Sequence, residues 1–100
     1  MTAPREGCRV DIWLWRARFF KTRSLAARMV AEGQVSLARG GAEIALAKPS
    51  RAVHCGDALV LSLGGRRLAV RIEALGARRG PAPESRALYR ALDDAAERRG

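Results

Sequence analysis

Apolar residues near the start of the chain repeat with the spacing of an α-helix. At about 100° per residue, a helix over residues 10–20 has one apolar face, formed by Val10, Trp13, Leu14, Ala17 and Phe20. A second apolar stripe lies nearly opposite the first and consists of Ile12, Trp15 and Phe19. One sheet cannot bury both faces of a helix, so a second element or a partner molecule must cover this stripe. Both alternatives remain open at the level of the sequence.

A second amphipathic helix is predicted from Thr22 to about Glu32. Thr22 is a residue type that caps helix starts, and Gly33 suits the position just after a helix end. The inward side of this helix would carry Leu25, Ala26, Met29 and Val30. The outer side would carry Arg23, Ser24, Arg28 and Glu32.

After Gly33 the pattern changes to short runs that are typical of β-strands. Residues 35–37 and 42–46 flank a turn at Arg39-Gly40-Gly41, and residues 58–63 and 68–75 flank Gly64-Gly65. A Gly/Pro-rich segment then precedes a closing helix predicted over residues 84–99. Three side chains of that helix could cover the second stripe: Leu88, Tyr89 and Leu92.

These elements predict a small domain of the α+β class. Two N-terminal helices would pack on a small, bent, mainly antiparallel β-sheet, and a C-terminal helix would follow. We expect a flexible lead-in over residues 1–8, the main domain over residues 9–76, and a linker with the C-terminal helix over residues 77–100.

The charge is strongly one-sided. The 100 residues include 19 Lys and Arg against 10 Asp and Glu, for a net charge of +9, and 17 of the 19 basic residues are arginine. A net charge of this sign and size favours a polyanionic partner, of which nucleic acid is the commonest. Arginine is the side chain best suited to bidentate contact with phosphate.

Several of these charges gather at the predicted start of the second helix. Backbone N–H groups without helical partners and the positive end of the helix dipole favour an anion there. Lys21, Arg23 and the hydroxyls of Thr22 and Ser24 surround the same point. Each residue alone could cap the helix or be solvated, but together they predict phosphate recognition.

Other kinds of site find little support. Cys8 and Cys55 lie far apart, and His54-Cys55 lacks the spacing of a zinc site, so we expect no metal and no cofactor. The scattered acids and the lone His54 suggest no catalytic arrangement, and we expect no enzymatic activity. The chain has no apolar run of the roughly 20 residues that would span a bilayer, so we expect no membrane contact and a cytoplasmic location.

A family resemblance strengthens the interpretation as a nucleic-acid binder. The run Arg9-Val10-Asp11-Ile12-Trp13-Leu14, followed by Lys21-Thr22-Arg23-Ser24 and Gly33-Gln34-Val35, resembles the S4 RNA-binding domain. Within it, Trp13-Leu14-Trp15, Lys48-Pro49-Ser50, the segment from Arg78 to Glu84, and Leu88-Tyr89 are similar to the heat shock protein 15 family of ribosome-associated proteins. The similarity covers roughly residues 9–90. The segment between Val35 and Lys48 is longer than the hairpin usual in the family.

The resemblance implies a non-catalytic protein that binds structured RNA. Its partner would be ribosomal RNA of the large subunit, and its role would be to help recycle stalled free large subunits under heat stress. The RNA-facing positions carried over from the family are Arg9, Lys21, Thr22, Arg23, Ser24, Arg28, Lys48, Ser50 and Arg51. Apart from the resemblance, aromatic rings beside arginines suit RNA, which makes Trp15, Arg16, Arg18 and Phe19 candidates for a secondary contact.

Two alternatives remain beside this interpretation. The aromatic stripe of the first helix would be exposed if the protein were instead a protein-interaction module that docks a partner there. Net charge alone also allows binding to DNA. We expect the chain to be a monomer.

Overall fold

Three helices and seven strands make up the part of the chain that the structure describes. The structure is a computed structural model, and it describes residues 7–92. The elements in chain order are β1 Cys8–Arg9, α1 Val10–Arg16, α2 Arg23–Ala31, β2 Val35–Arg39, β3 Ala42–Ala45, β4 Ala52–Val53, β5 Ala58–Leu63, β6 Arg66–Ile72, α3 Ala82–Arg86 and β7 Tyr89–Ala91. Within these residues, no helix is both long and apolar enough to cross a membrane.

The strands form one main sheet and a small separate ribbon. The main sheet has the order β3-β2-β5-β6-β7, and all of its neighbouring strands are antiparallel. β1 and β4 form the ribbon, in which Cys8, assigned to the lead-in by the sequence, pairs with Val53. The predicted α+β class and the antiparallel sheet are therefore confirmed.

Two hairpins of the main sheet close through pairs of glycines. Gly40 and Gly41 join β2 to β3 with φ angles of 61° and 84°. Gly64 and Gly65 join β5 to β6 with φ angles of 58° and 82°. Two consecutive residues with positive φ give the tight turn whose twist matches that of paired strands, and glycine adopts it at no steric cost.

The two leading helices cover one face of the main sheet. The predicted inner face of α1 is confirmed, because all five of its residues are buried: Val10, Trp13, Leu14, Ala17 and Phe20. They share one core with Leu37, Leu59 and Val70, which form a row across β2, β5 and β6. On α2, Ala26 and Val30 are buried, whereas Leu25 and Met29 pack on the edge of the core.

The first helix ends earlier than its pattern predicts. α1 stops at Arg16, and Arg18 has a φ of 67°, which reverses the chain. The N–H of Arg18 donates to the Trp15 carbonyl (3.0 Å), and the N–H of Phe19 donates to the Leu14 carbonyl (3.0 Å). This pair of bonds closes a helix end in the Schellman arrangement. The predicted extension to Phe20 was wrong because burial continues through the turn after the helix has ended.

The second helix ends in the same arrangement with the residue that favours it. Gly33 has a φ of 81° and donates to the Val30 carbonyl (3.0 Å), and the N–H of Gln34 donates to the Met29 carbonyl (3.0 Å). The predicted roles of Thr22 as the N-cap and Gly33 as the terminator are both confirmed.

A segment from the C-terminal half packs against Phe19, the last residue of the second stripe, which lies in the turn after α1. The Tyr89 ring lies 4.7 Å from the Phe19 ring, and the Trp13 indole N–H donates to the Ala74 carbonyl (2.9 Å). Glu73 and Ala74 both donate to the Leu88 carbonyl, at 2.8 and 3.2 Å, so the two ends of residues 73–88 meet. We call residues 73–89 the C-terminal segment.

The closing helix exists, but its predicted span was wrong. α3 ends at Arg86, and the next residues form the edge strand β7, in which Tyr89 pairs with Ile72 and Ala91 with Val70. Pairing with β6 satisfies backbone groups that would otherwise stay open at the sheet edge, and this outweighs the local helical pattern. Residues 93–99 of the predicted helix lie outside the described residues.

We expect Gly33→Ala to lower the free energy of unfolding by about 1–2 kcal/mol, because an L side chain at this φ is strained. An added Cβ would meet no atom within 4 Å, so conformation alone accounts for the loss. Urea denaturation of the two proteins measures it. Gly33→Asn is the matched control and should recover part of the loss, since Asn tolerates the left-handed region better. Equal losses for Ala and Asn would contradict this explanation.

Candidate nucleic-acid interface

The start of α2 presents cations and hydroxyls on an open helix end. Thr22 has extended backbone angles, and its Oγ1 accepts from the N–H of Leu25 (3.0 Å). Lys21, Thr22, Arg23 and Ser24 are all exposed. As the first two residues of the helix, Arg23 and Ser24 have N–H groups with no intrahelical acceptor. We call these four residues the α2-start group.

The start of α1 is organised differently, because a loop closes it. The N–H of Val10 donates to the Arg51 carbonyl (2.8 Å), and that of Asp11 donates to the Pro49 carbonyl (3.3 Å). The loop thus uses its own carbonyls to satisfy this helix end. It also brings the exposed residues Lys48, Ser50 and Arg51 near Arg9, which pairs with Ala52 in the ribbon. We call these four residues the loop group.

A buried carboxylate orients Arg9 within the loop group. Asp11 is only 3% exposed and accepts from Nε (3.1 Å) and Nη2 (2.9 Å) of Arg9, while its Oδ1 also accepts from the N–H of Ile12 (2.8 Å). The hydrogen bonds and the charge of Asp11 raise the pKa of the Arg9 guanidinium. The pairing of Asp11 with Arg9 was not predicted from the sequence, although an acid two residues from an arginine is a visible signal.

The two groups lie at opposite ends of the helical pair. α2 leads into Val35, whose carbonyl accepts from the N–H of Leu46 (2.9 Å), two residues before Lys48. The C-terminal end of α2 therefore lies on the side of the loop group. The α2-start group lies one helix length away, about 13 Å for nine residues. Arg28 is exposed between the two ends and pairs with Glu32 (Nε–Oε2 3.6 Å).

The carboxylates of residues 7–92 neutralise arginines that lie mostly outside these groups. Each of them forms an ion pair with an arginine, and the pairs are Asp11–Arg9, Glu32–Arg28, Glu43–Arg67, Asp57–Arg39, Glu73–Arg90 and Glu84–Arg78. Four further arginines donate to backbone carbonyls: Arg16, Arg18, Arg71 and Arg79. The cations left with neither kind of partner among the described residues are Lys21, Arg23, Lys48, Arg51, Arg66 and Arg86. Four of these six belong to the two groups.

Two of the expected secondary contacts hold the C-terminal segment in place. Nη1 of Arg16 donates to the Leu75 (3.3 Å) and Gly76 (2.8 Å) carbonyls, and Nε of Arg18 donates to the Gly80 carbonyl (2.8 Å). The Nε of Arg16 is buried without a partner among the described residues. These guanidinium groups are therefore largely committed to backbone carbonyls on the far side of α1.

The aromatic residues among the expected secondary contacts, Trp15 and Phe19, are partly covered as well. Phe19 packs between Tyr89 and Trp13, with its ring centroid 4.7 and 6.0 Å from theirs. Arg79 donates from Nε to the Trp15 carbonyl (3.1 Å) and places its guanidinium 5.9 Å from the centre of the Trp15 ring. The part played by Arg79 was not predicted from the sequence. The only large hydrophobic side chain exposed among the described residues is Ile44, so the stripe does not form the exposed patch that the protein-docking alternative requires.

Cys8 lies beside Arg16, and the pKa of its thiol is raised. Burial raises its pKa, the positive charge of Arg16 lowers it, and the negative charge of Asp11 raises it further, so that the net shift is upward. The thiol is within hydrogen-bonding distance of the Arg9 carbonyl (3.5 Å), and Nη1 of Arg16 donates to its sulfur (3.6 Å). Within the described residues, no group of three or more metal-ligating side chains occurs.

Comparison with known proteins shows which family the chain belongs to. A model of the S4 domain matches residues 8–38. Heat shock protein 15 of Escherichia coli K12 is 36% identical over 96 residues, which cover 96% of this chain and 68% of that protein. The heat shock protein 15 homolog of Haemophilus influenzae is 36% identical over 91 residues, which cover 91% of this chain and 66% of that protein.

A solved structure agrees with the fold. The trimeric structure of Vibrio cholerae heat shock protein 15 matches with a TM-score of 0.79 and 40% identity, covering 94% of this chain and 90% of that one. The chain thus carries an S4 domain. It belongs to the heat shock protein 15 family, and this membership supports RNA binding and association with the ribosome. It spans about two thirds of the length of the two named relatives. The expected monomer stays a prediction.

Removal of the Arg79 side chain should expose Trp15 to solvent. We expect Arg79→Ala to increase the quenching of tryptophan fluorescence by acrylamide, because the Arg79 guanidinium lies over the Trp15 ring. The change would come from Trp15, which is partly buried, since Trp13 is fully buried. Arg86→Ala is the control, since Arg86 is exposed and has no partner among the described residues. Unchanged quenching in Arg79→Ala would show that another group covers the Trp15 ring.

Proposed function

We propose that this protein binds structured RNA through the α2-start group and the loop group. The observation that carries the proposal is the distribution of unneutralised charge. Carboxylates and backbone carbonyls engage most arginines of the described residues, yet Lys21, Arg23, Lys48 and Arg51 remain exposed and unengaged by either. Arginine, lysine, hydroxyl and free N–H groups are the donors that contact phosphate oxygens in nucleic-acid complexes.

The arrangement favours contact with two separated phosphates of a folded RNA. The groups lie at opposite ends of α2, so a single phosphate cannot occupy both, and Arg28 and Arg9 supply further cations between and beside them. Recognition would come mainly from phosphate contacts and RNA shape, since the deep, narrow major groove of A-form RNA hides its base edges from side chains.

We further propose that the RNA belongs to the large ribosomal subunit and that the protein helps to recycle stalled free large subunits under heat stress. Membership of the heat shock protein 15 family and the resemblance of its motifs support this role. DNA is the second candidate partner, because an exposed cationic surface attracts any nucleic acid. Competition with double-stranded DNA of the same sequence distinguishes the two candidate partners. If the surface is specific for RNA, the DNA competitor will not displace the bound RNA.

The two groups should account for the salt dependence of RNA binding. We expect the double variant Lys21→Ala/Arg23→Ala to reduce the log–log slope of affinity against salt by about 0.7–0.9 for each phosphate that the protein no longer neutralises. Titration of ribosomal RNA at several salt concentrations, by fluorescence anisotropy, measures the slope.

The matched control is Arg67→Ala/Arg90→Ala, which removes the same charge from arginines already paired with Glu43 and Glu73. Its slope should stay near that of the wild type. An equal reduction in both double variants would mean that net charge alone drives binding and would contradict the assigned site.

Charge reversal at the outer side of α2 should abolish RNA binding without unfolding the protein. Arg23 and Arg28 are exposed, so Arg23→Glu/Arg28→Glu should retain the helical circular dichroism signal. We expect a cost of a few tenths of a kcal/mol from placing Glu at position 28 beside Glu32. An unfolded variant would show that these arginines are structural.

Sedimentation of a cell extract through a sucrose gradient tests the ribosomal partner. We expect the protein to travel with free large subunits, in larger amount after heat stress, and the Lys21→Ala/Arg23→Ala variant to remain at the top of the gradient. Wild-type protein found only at the top would contradict the ribosomal role.

A further inference from the structure

The tip of the β5–β6 hairpin contains a cavity that the proposed RNA contacts do not use. It is open to solvent, has a volume of about 210 Å³, and is lined by Leu63, Arg66, Arg67 and Leu68. We call it the hairpin cavity. The turn that closes the hairpin is Gly64-Gly65, and a Cβ added to either glycine would meet no atom within 4 Å, so the approach to the tip is unobstructed.

Strand alternation sorts the lining side chains between the two faces of the hairpin. Leu63 pairs with Arg66 and Leu61 with Leu68, so Leu63, Arg66 and Leu68 point to the face that the helices cover. Arg67 pairs with Ser62 and points to the opposite face, where its guanidinium binds Glu43. The cavity therefore has two leucine walls and one unengaged guanidinium, that of Arg66, whereas the Arg67 guanidinium at its lining is paired with Glu43.

Arg66 is available to a ligand. It is exposed and has no hydrogen bond or ion pair within the described residues. Leu63 and Leu68 are only partly buried at the margin of the core, so their outer surfaces remain open to an apolar ligand. Two apolar walls beside an unengaged guanidinium suit a flat, partly polar group that carries negative charge nearby.

The cavity lies at the same end of the main sheet as the loop group. The Gln34 carbonyl accepts from the N–H of Ser62 (2.8 Å), and the Val35 carbonyl accepts from the N–H of Leu46 (2.9 Å). The start of β2 is thus flanked by the end of β5, which leads to the hairpin tip, and by the end of β3, which leads to Lys48. Two strand spacings, about 10 Å, separate these flanks.

We propose that the hairpin cavity binds one unpaired nucleotide of the RNA. Its base would lie against Leu63 and Leu68, with the Arg66 guanidinium stacked on it. Proteins recognise RNA sequence mainly through unstacked bases, and arginine planes are among the groups on which such bases stack. The inference rests on the proposed function and adds a preference for an unpaired nucleotide to a surface that otherwise contacts phosphates.

Two RNA hairpins that differ by a single bulged nucleotide test this inference. We expect the wild-type protein to bind the bulged RNA about tenfold more tightly than the fully paired one, in line with the stacking of one base. Arg66→Ala should remove the preference. Arg86→Ala is the matched control, because Arg86 is also exposed and without a partner among the described residues but does not line the cavity, and it should keep the preference.

Arg66→Lys separates stacking from charge. Lysine keeps the charge without the plane, so this variant should bind the paired RNA like the wild type and lose most of the preference for the bulge. A lysine variant with full preference, or an Arg66→Ala variant that weakens both RNAs equally or neither, would overturn the proposal.

A readout that needs no variant is photo-crosslinking of a 4-thiouridine placed at the bulge. We expect crosslinked peptides to include residues 63–68, and crosslinks confined to other segments would overturn the proposal. Wild-type protein that binds neither RNA would contradict the proposed function itself. If Lys21→Ala/Arg23→Ala weakens RNA binding but the wild-type protein shows no preference for the bulge, only the proposed role of the cavity is contradicted.

Discussion

The first helix and the turn after it carry apolar side chains on two sides, and the need to bury them organises the rest of the molecule. The main sheet covers the face that contains Trp13 and Leu14. The C-terminal segment lies on the other side, with Tyr89 against Phe19 in the turn after α1 and Arg79 beside Trp15. Because apolar contact alone would leave backbone carbonyls of that segment unpaired, the indole of Trp13 and the guanidinium groups of Arg16 and Arg18 donate to them.

This use of arginine as a backbone donor decides which charges face solvent. A composition of 17 arginines suggests a surface that is basic everywhere. In the fold, carboxylates of the described residues form ion pairs with some arginines, and backbone carbonyls accept hydrogen bonds from others. The cations that stay unengaged concentrate at the two helix starts, where the S4 domain resemblance also assigns contact with RNA.

The two helix starts resemble each other in sequence charge but differ in what they offer an anion. At α1, the Pro49 and Arg51 carbonyls occupy the first N–H groups, so that only side chains remain for a ligand. At α2, the Thr22 hydroxyl caps one N–H, and those of Arg23 and Ser24 have no intrahelical acceptor. The α2 start thus combines backbone and side-chain donors, whereas the loop group acts through side chains alone.

Local rules in the sequence determined the faces of both helices, the Thr22 cap, the Gly33 terminator and the two glycine hairpins, because each depends on residues only a few positions apart. Contacts between distant residues decided the rest. The end of α1 depends on Arg18, which adopts a positive φ while its side chain donates a hydrogen bond to the Gly80 carbonyl. Tyr89–Ala91 forms a strand because it pairs with β6 at the edge of the sheet. The sequence contains the cations of the candidate interface, but which of them remain unengaged depends on acids and carbonyls brought close by folding. That long-range pairing is visible only in the tertiary structure.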